Sequence, residues 1–326
     1  MNRLTISKLI ALAVGITCVL LAYNYNNSAT YKVSGSIYGT YWQLVSTEYI
    51  SDSLKKSIEA ELTRIDLIAS NYKKNSELSR INNSSVNQKI LISSDMYTLL
   101  SFAESLFQIT NGFYDVTLGS LIIQNGFGPE RTMIENTLPV SIKRFDLNSK
   151  NFLIKNDNFQ FDLSSIAKGY AVDKIAQLLM KSGKENFLFD IGGEIITNGT
   201  KHGAPWLIGI QNPLSIQNQS IMEISSSDFL AVATSGEYRN QKINENDKIV
   251  SHTFIPMTQL SIADKSYSIT VASNKSSMVA DAWATALNVL GPKEGIRIAN
   301  DHDIAVLYIM HKDNIVLKSK TWNYSD

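Results

Sequence analysis

Val279-Ala280-Asp281-Ala282-Trp283-Ala284-Thr285-Ala286-Leu287-Asn288-Val289-Leu290-Gly291 is the segment around which we expect the chain to pack. Small and apolar residues recur in it at helical spacing, no proline interrupts it, and Gly291-Pro292 follows as a stop signal. The pattern therefore predicts a buried helix.

Asp281 and Thr285 are four residues apart in this helix, so their side chains share one face, one turn apart. A carboxylate and a hydroxyl suit a small hard cation such as Mg²⁺, which completes its shell with waters or substrate phosphates. A structural alternative is that Asp281 caps the helix and Thr285 bonds back to a carbonyl of the preceding turn. These two residues alone leave both interpretations open.

The composition is that of a globular protein. The chain has 326 residues, of which 44% are hydrophobic and 18% charged, so it can bury a sizeable core as one large domain or two small ones. Thirty basic residues balance thirty acidic ones, and no long basic run would follow a phosphate backbone. We therefore expect no nucleic-acid partner.

The amino terminus has the pattern of an export signal. Arg3 and Lys8 precede a charge-free apolar run from Leu9 to Ala22, and a polar segment follows. No clear cleavage site follows, which favours an uncleaved membrane anchor over residues 1–28 and a second region, 29–326, held outside the cytoplasm. Cys18 is the only cysteine, so the chain has no internal disulfide.

Strands and a few long helices make up the rest of the chain, without steady alternation between them. This arrangement is typical of an α+β fold with antiparallel sheet. The predicted helices span Ser51–Ile68 and Ser93–Gln108, with a polar surface loop over residues 70–82 between them. Predicted strands include a hairpin over residues 31–45 interrupted at Gly39-Thr40, then Phe159–Leu163, Phe187–Ile195, Trp206–Ile210, Phe229–Ala233, Ser268–Ala272 and a closing hairpin, Asp303–Met310 with Ile315–Leu317.

A turn of small residues, residues 164–167, links the strand predicted at Phe159–Leu163 to another helix. It places backbone N–H groups and Lys168 at a helix start, where phosphates bind. This is not a Walker loop, so Lys168 as an ordinary surface cation stays an equal alternative.

Seven short blocks, taken together, resemble the FAD:protein FMN transferases, the ApbE family, over roughly residues 35 to 310. They occur in the family's order. The blocks are Tyr38-Gly39-Thr40, Ser70-Asn71-Tyr72 with Ser76-Glu77-Leu78-Ser79-Arg80-Ile81-Asn82, Gly112-Phe113-Tyr114-Asp115-Val116-Thr117, Ala167-Lys168-Gly169-Tyr170-Ala171-Val172-Asp173, Ile191-Gly192-Gly193-Glu194, Thr234-Ser235-Gly236-Glu237-Tyr238, and Ala280-Asp281-Ala282 through Thr285-Ala286.

The resemblance implies a T-fold-related α+β domain, with antiparallel sheets and packed helices, that binds FAD and Mg²⁺. Enzymes of this family split the pyrophosphate of FAD, join the FMN half to a threonine hydroxyl of an acceptor protein, and release AMP. By the same resemblance, the Asp281 carboxylate, the Thr285 hydroxyl and the main-chain carbonyl of Ala167 would hold the metal. The ion would neutralise charge on the pyrophosphate and make AMP a better leaving group.

The family's flavin and nucleotide contacts map onto further positions of this sequence. Tyr38 and Tyr72 would lie near the flavin, Asp115 and the Lys168-Gly169-Tyr170 turn would contact FAD, and Asp173 with the Gly193-Glu194 bend would shape the pocket. The matched blocks and their neighbours complete the expected FAD-binding set with Gly39, Thr40, Ser76, Ser235 and Ile255.

His252 is the candidate general base, because an imidazole can take the proton of an incoming hydroxyl near neutral pH. The family commonly carries His-x-x-Asp-Pro-Arg-Thr-Gly here, and this chain keeps only the His, Pro and Thr of that block. Ile255, Met257 and Gln259 replace its Asp, Arg and Gly, although main-chain contacts at Ile255 do not depend on the side chain. The alternative for His252 is a surface or capping histidine.

The leading hypothesis is a flavin transferase on the periplasmic side of a bacterial inner membrane. It would act on a subunit of a membrane redox complex and be anchored by the amino-terminal segment. Two alternatives are an Mg²⁺-dependent FAD pyrophosphatase that gives FMN and AMP, and a non-catalytic FAD-binding protein outside the cytoplasm. The altered His252 block keeps the first alternative open, whereas Asp281, Thr285 and Lys168 argue against the second.

Overall fold

The computed structural model describes residues 3–129, 144–211, 219–236, 241–243, 249–263, 267–310 and 315–324. Its helices are α1 (Arg3–Ser28), α2 (Asp52–Ala69), α3 (Glu77–Asn82), α4 (Ser94–Ile109), α5 (Gly119–Gln124), α6 (Ala167–Lys181), α7 (Ser277–Leu290) and α8 (Pro292–Asp301). Its strands are β1 (Tyr31–Ile37), β2 (Thr40–Ser46), β3 (Lys89–Leu91), β4 (Phe145–Asn148), β5 (Phe152–Lys155), β6 (Phe187–Ile191), β7 (Glu194–Asn198), β8 (Trp206–Gln211), β9 (Ser220–Ser226), β10 (Leu230–Gly236), β11 (Gln241–Ile243), β12 (Ile249–Ser251), β13 (Phe254–Ile255), β14 (Leu260–Ser261), β15 (Tyr267–Ser273), β16 (Ala305–Met310) and β17 (Val316–Lys318).

An antiparallel sheet forms the centre of the described structure, in the strand order β1-β2-β6-β7-β10-β15-β16-β17. Its inner strands bury both faces, because successive side chains alternate between two cores. On β10, Ala231 and Ala233 join the large core beneath the helices, whereas Leu230 and Val232 join a second core under the β8–β9 hairpin. The α+β class with antiparallel sheet is confirmed.

Helix α7 lies in the large core and confirms the predicted buried helix. Ser276 caps its start by accepting a hydrogen bond from the N–H of Val279 at 3.2 Å, and Gly291, with φ of 78°, ends it before Pro292 opens α8. Asp281 therefore lies inside the helix and does not cap it. The structural alternative for this carboxylate is wrong.

The predicted helices over Ser51–Ile68 and Ser93–Gln108 are confirmed as α2 and α4, each capped by the serine before it. Two other predictions are wrong. The residues from Phe159 to Leu163 form no strand, because only Gln160 makes a bridge, to Leu118. Residues 70–82 are not a surface loop, since they contain α3 and bury polar side chains; Asn82, for example, accepts from the N–H of Phe161 at 2.7 Å and donates to its carbonyl.

Helix α1 is 26 residues long and covers most of the predicted anchor. Within the part of the chain that the structure describes, no helix is both long enough and apolar enough to cross a membrane. The anchor over residues 1–28 and the localisation stay predictions.

Candidate functional site

The site begins where α6 crosses α7 with almost no space between them. The N–H of Gly169 donates to Oδ2 of Asp281 at 2.9 Å, and a Cβ added at Gly169 would meet the carbonyl of Ser277 and, at 2.8 Å, the Cβ of Asp281. Only a residue without a side chain permits this approach. The close crossing therefore fixes the Asp281 carboxylate by a main-chain donor of the neighbouring helix.

Asp173 holds the same crossing from the other end. Its carboxylate accepts hydrogen bonds from the N–H groups of Ser277 at 2.7 Å and Met278 at 3.0 Å and from the Ser276 hydroxyl at 2.6 Å. A carboxylate at a helix amino terminus is favourable because the first N–H groups there have no partner within the helix. Burial nevertheless raises the pKa of Asp173 above its ordinary value. Asp173 thus orients α7, and it does not line the cavity described below.

Lys168 and Glu194 form an ion pair beside Asp281. The Lys168 Nζ donates to Oε1 of Glu194 at 2.7 Å, whereas Oε2 of Glu194 is buried and has no partner among the described residues. Burial raises the pKa of Glu194 to about 7, against the lowering effect of Lys168, and it raises the pKa of Asp281 as well. Burial alone would lower the pKa of Lys168, but Glu194 and Asp281 raise it overall. Two buried carboxylates thus share one ammonium, so an added cation would be stabilised here.

A cavity of about 650 Å³ opens over this cluster. It brings together nine of the predicted site residues, contributed by helices, strands and loops far apart in sequence. They are Tyr38, Tyr72, Asp115, Lys168, Glu194, Ser235, His252, Asp281 and Thr285. A cavity of this size is in the range of small-molecule and cofactor sites.

Aromatic side chains line part of the same cavity. Tyr72 is 70% exposed and so presents an open ring face, whereas Tyr38 is anchored by its hydroxyl, which donates to the carbonyl of Leu62 at 2.9 Å. Burial raises the pKa of Tyr38, so its hydroxyl stays protonated at neutral pH. Phe113 and Phe127 add further apolar surface. An extended planar ring system could stack against such a lining.

His252 lies on the same cavity, in the segment between β12 and β13. Its ring centroid is 6.1 Å from that of Phe127, and its Nδ1 is buried without a hydrogen-bond partner among the described residues. Neither His202 nor His302 lines the cavity, and His311 is outside the described residues. Of the histidines that the structure describes, His252 is therefore the one placed to act as a base in this cavity.

The block after His252 ends in a turn with a backbone conformation that favours glycine. Gln259 adopts φ of 55°, a left-handed conformation that favours glycine, at the position where the family pattern has Gly. Its N–H closes the turn on the carbonyl of Ile255 at 2.8 Å. Met257 is exposed and lies outside the cavity lining, whereas Pro256 belongs to it.

The remaining predicted site residues do not line the cavity, and their contact with a ligand stays a prediction. Tyr170 follows Lys168 by two helical positions, about 200° around the helix, and donates its hydroxyl to Asp95. Ser76 is buried as the amino-terminal cap of α3. Asp173 lies within α6 and accepts from the start of α7. The others lie at turns, strand ends or a helix start close to lining residues: Gly39, Thr40, Ala167, Gly169, Gly193 and Ile255.

Asp162 and Lys242 line the cavity and were missed by the sequence reasoning. Asp162 accepts from the N–H of Ser164 at 2.8 Å and from Nδ2 of Asn71 at 2.7 Å. Its position between a hydrophobic run and the small-residue turn was a usable signal. Lys242 stands alone in a polar segment, so no pattern distinguished it.

Among the described residues, no group of three or more His, Cys, Asp or Glu side chains is arranged to hold a metal ion. A dedicated protein cage is therefore absent from that part of the chain. Mg²⁺ does not need one, since it is commonly held by one or two carboxylates together with substrate phosphates and water. Hard oxygen atoms at one end of the cavity fit such a site: the buried Asp281 carboxylate, the half-buried Thr285 hydroxyl, and Oε2 of Glu194, which has no partner among the described residues.

Comparison with known proteins places this geometry in a family. A model of the ApbE family matches residues 38–308. The FAD:protein FMN transferase of Haemophilus influenzae is 33% identical over 337 residues, which cover 97% of this chain and 96% of that relative. The FAD:protein FMN transferase of Vibrio cholerae is 33% identical over 320 residues, 94% of each chain. The solved structure of the flavin transferase ApbE from Vibrio cholerae matches with a TM-score of 0.78 and 32% identity over 90% of this chain and 98% of that one.

Proposed function

The chain belongs to the ApbE family and is a flavin transferase, and from this premise we propose that it moves the FMN half of FAD onto a threonine hydroxyl of an acceptor protein. The reaction would depend on Mg²⁺ and release AMP. One observation carries the proposal: a single cavity presents both the Lys168–Glu194–Asp281 cluster and His252. The cluster suits a pyrophosphate with its metal ion, and the histidine suits an incoming hydroxyl.

The reaction requires one bond to form and one to break. The acceptor hydroxyl oxygen bonds to the FMN phosphorus, and the bond between this phosphorus and the bridging oxygen breaks, so AMP leaves with that oxygen. His252 takes the hydroxyl proton. Because its Nδ1 is enclosed, the other ring nitrogen, Nε2, is the one available for this transfer.

Asp281, Thr285 and the main-chain carbonyl of Ala167 would hold the Mg²⁺. When bound, the ion neutralises charge that develops on the pyrophosphate oxygens. The protein itself keeps the Asp281 carboxylate in place through the N–H of Gly169 and through the Asp173 cap on α7. Lys168 stays protonated beside Glu194 and Asp281, and so contributes positive charge at this end of the cavity.

A direct experiment mixes residues 1–326 with FAD, Mg²⁺ and a flavin-acceptor domain that contains a target threonine. Flavin fluorescence of the acceptor in a denaturing gel is followed together with AMP and free FMN. We expect a fluorescent acceptor band and an equal amount of AMP. AMP with free FMN and a dark acceptor band would instead establish a pyrophosphatase, and bound FAD without AMP would establish a binding protein.

We further propose that the acceptor belongs to a membrane redox complex and that the chain acts on the periplasmic side of a bacterial inner membrane. The basic, apolar and polar order of residues 1–28 supports this location. A carboxyl-terminal reporter enzyme that is active only outside the cytoplasm tests it. An active reporter in the membrane fraction is expected, and an inactive reporter would contradict the location.

A further inference from the structure

Lys242 is a cation on the cavity wall that the proposed reaction has not yet used. It lies on β11, and its Nζ donates to the carbonyl of Gly126 at 2.7 Å. The same Nζ lies 5.0 Å from the centroid of the Phe127 ring. An ammonium has three N–H donors, so the bond to Gly126 leaves two for a ligand. The side chain is therefore both anchored and available.

The position of Lys242 associates it with His252. The Phe127 ring approaches both, since its centroid is 5.0 Å from the Lys242 Nζ and 6.1 Å from the His252 ring centroid. On the backbone, Lys242 pairs with Val250 of β12, two residues before His252. Hence Lys242 contributes its charge to the part of the cavity wall that carries the histidine.

The charge balance of the cavity gives this ammonium a role. Four carboxylates line the cavity in the described part of the chain: Asp115, Asp162, Glu194 and Asp281. The lysines among the same lining residues are Lys168 and Lys242, and Lys168 is paired with Glu194 at 2.7 Å. Lys242 has no carboxylate partner among the described residues, because its one described hydrogen bond goes to a neutral carbonyl. An anionic ligand would meet there an ammonium that no carboxylate of the described residues neutralises.

We propose that Lys242 is a further substrate-binding residue, which donates a hydrogen bond to an anionic pyrophosphate oxygen of the dinucleotide beside His252. This inference rests on the proposed function, since it needs a dinucleotide with a pyrophosphate in the cavity. The bond to Gly126 and the contact with Phe127 hold the Lys242 side chain before the ligand arrives. A side chain held in this way loses less rotamer freedom on binding than a free surface lysine.

The test measures dissociation constants of the full chain, kept in EDTA, for FAD, ADP and riboflavin by fluorescence and calorimetric titration. FAD and ADP contain a pyrophosphate, and riboflavin has no phosphate. We expect Lys242→Met to raise the dissociation constants for FAD and ADP about tenfold, as for the loss of one charge-assisted hydrogen bond. Riboflavin should bind within about twofold of wild type, and Lys242→Arg should recover most of the FAD affinity.

Lys89→Met is the matched control. Its Nζ also lies over a phenylalanine ring, 4.1 Å from the Phe152 centroid, but Lys89 is exposed on β3 and does not line the cavity. This variant should bind all three ligands as wild type does. Unchanged FAD and ADP affinity in Lys242→Met would overturn the assignment, and so would an equal loss for riboflavin, which would indicate altered packing against Phe127. A wild-type protein that binds no FAD even when Mg²⁺ replaces EDTA would instead refute the proposed function itself.

Discussion

Replacing Gly169 with alanine perturbs the helix crossing on which the Asp281 carboxylate depends. The new Cβ would meet the carbonyl oxygen of Ser277, its carbon at 2.7 Å and the Cβ of Asp281 at 2.8 Å. Two of these atoms belong to the backbone of α7, so they cannot move aside as a flexible side chain could. Helix α6 must therefore shift away from α7, and the hydrogen bond from Gly169 to Asp281 would lengthen or break.

The free energy of unfolding reflects opposing effects. Alanine is a better helix former than glycine by about 1 kcal/mol. Overpacking costs about 1–3 kcal/mol, and losing a hydrogen bond to a charged group costs about 1.5–3 kcal/mol. Gly169→Ala should therefore be less stable than wild type by about 1.5–5 kcal/mol. Activity should fall further, because a displacement on the order of 1 Å near the reacting groups can cost about 100-fold in rate.

The assay follows AMP release from FAD at saturating Mg²⁺, together with thermal unfolding, below the melting temperature of every variant. Gly295→Ala is the matched control. Gly295 lies in α8, which does not line the cavity, and a Cβ there would meet the hydroxyl of the buried Tyr308. We expect Gly295→Ala to be destabilised yet to keep most of its activity per folded molecule. Wild-type turnover by Gly169→Ala, or an equal loss in Gly295→Ala, would refute the reasoning.

Three further variants test individual groups of the site. Asp281→Asn keeps the shape and the acceptor for the N–H of Gly169 but removes the charge. FAD turnover should therefore be lost, and Mg²⁺ should no longer raise the melting temperature in the presence of FAD. Retention of either effect would contradict the metal assignment. His252→Ala should reduce flavin transfer by about 100-fold or more while FAD affinity changes by less than about threefold, and comparable losses in both would make His252 a binding residue. Burial raises the pKa of Glu194 to about 7, above the value of about 4.3 for an unfolded chain. Protonated Glu194 therefore contributes fully to the free energy of unfolding below about pH 4, and this contribution is lost as pH rises through 7. In denaturant titrations, the metal-free protein should therefore lose up to about 3 kcal/mol of stability between pH 5 and pH 8. Glu194→Gln should lose less over the same range. An identical pH dependence in both proteins would show that Glu194 does not cause the loss.

The sequence predicted α7 well, because its small residues and terminal glycine are local signals, although the capping serine, Ser276, was not recognised. It also indicated the shared face of Asp281 and Thr285, since helical periodicity alone determines it. The capping alternative for Asp281 fails because Ser276, five residues earlier, caps α7. The contact with Gly169, which lies 112 residues away, could not be predicted from the sequence. Contacts of this kind depend on tertiary packing, so the spacing of residues within one segment does not predict them.

Other residues show why motif membership did not determine a role. Tyr170 belongs to the same block as Lys168, but the helical turn directs it toward Asp95 and away from the cavity. Residues 70–82 look like a polar loop, yet they contain α3, and the buried Asn82 bonds to the backbone of Phe161. Gln259 adopts a left-handed backbone conformation that favours glycine, which its residue type does not indicate. For Tyr170 and Asn82 the deciding interaction joins segments that are distant in sequence.

In the proposed reaction, the FMN half of FAD ends on a threonine of another protein. The most direct measurement is the intact mass of a flavin-acceptor domain after incubation with this chain, FAD and Mg²⁺, beside the same domain with its target threonine changed to valine. Only the threonine-containing domain should gain the mass of FMN less one water, with one AMP released for each modified molecule. An unchanged acceptor mass while FAD is converted to free FMN and AMP would contradict it.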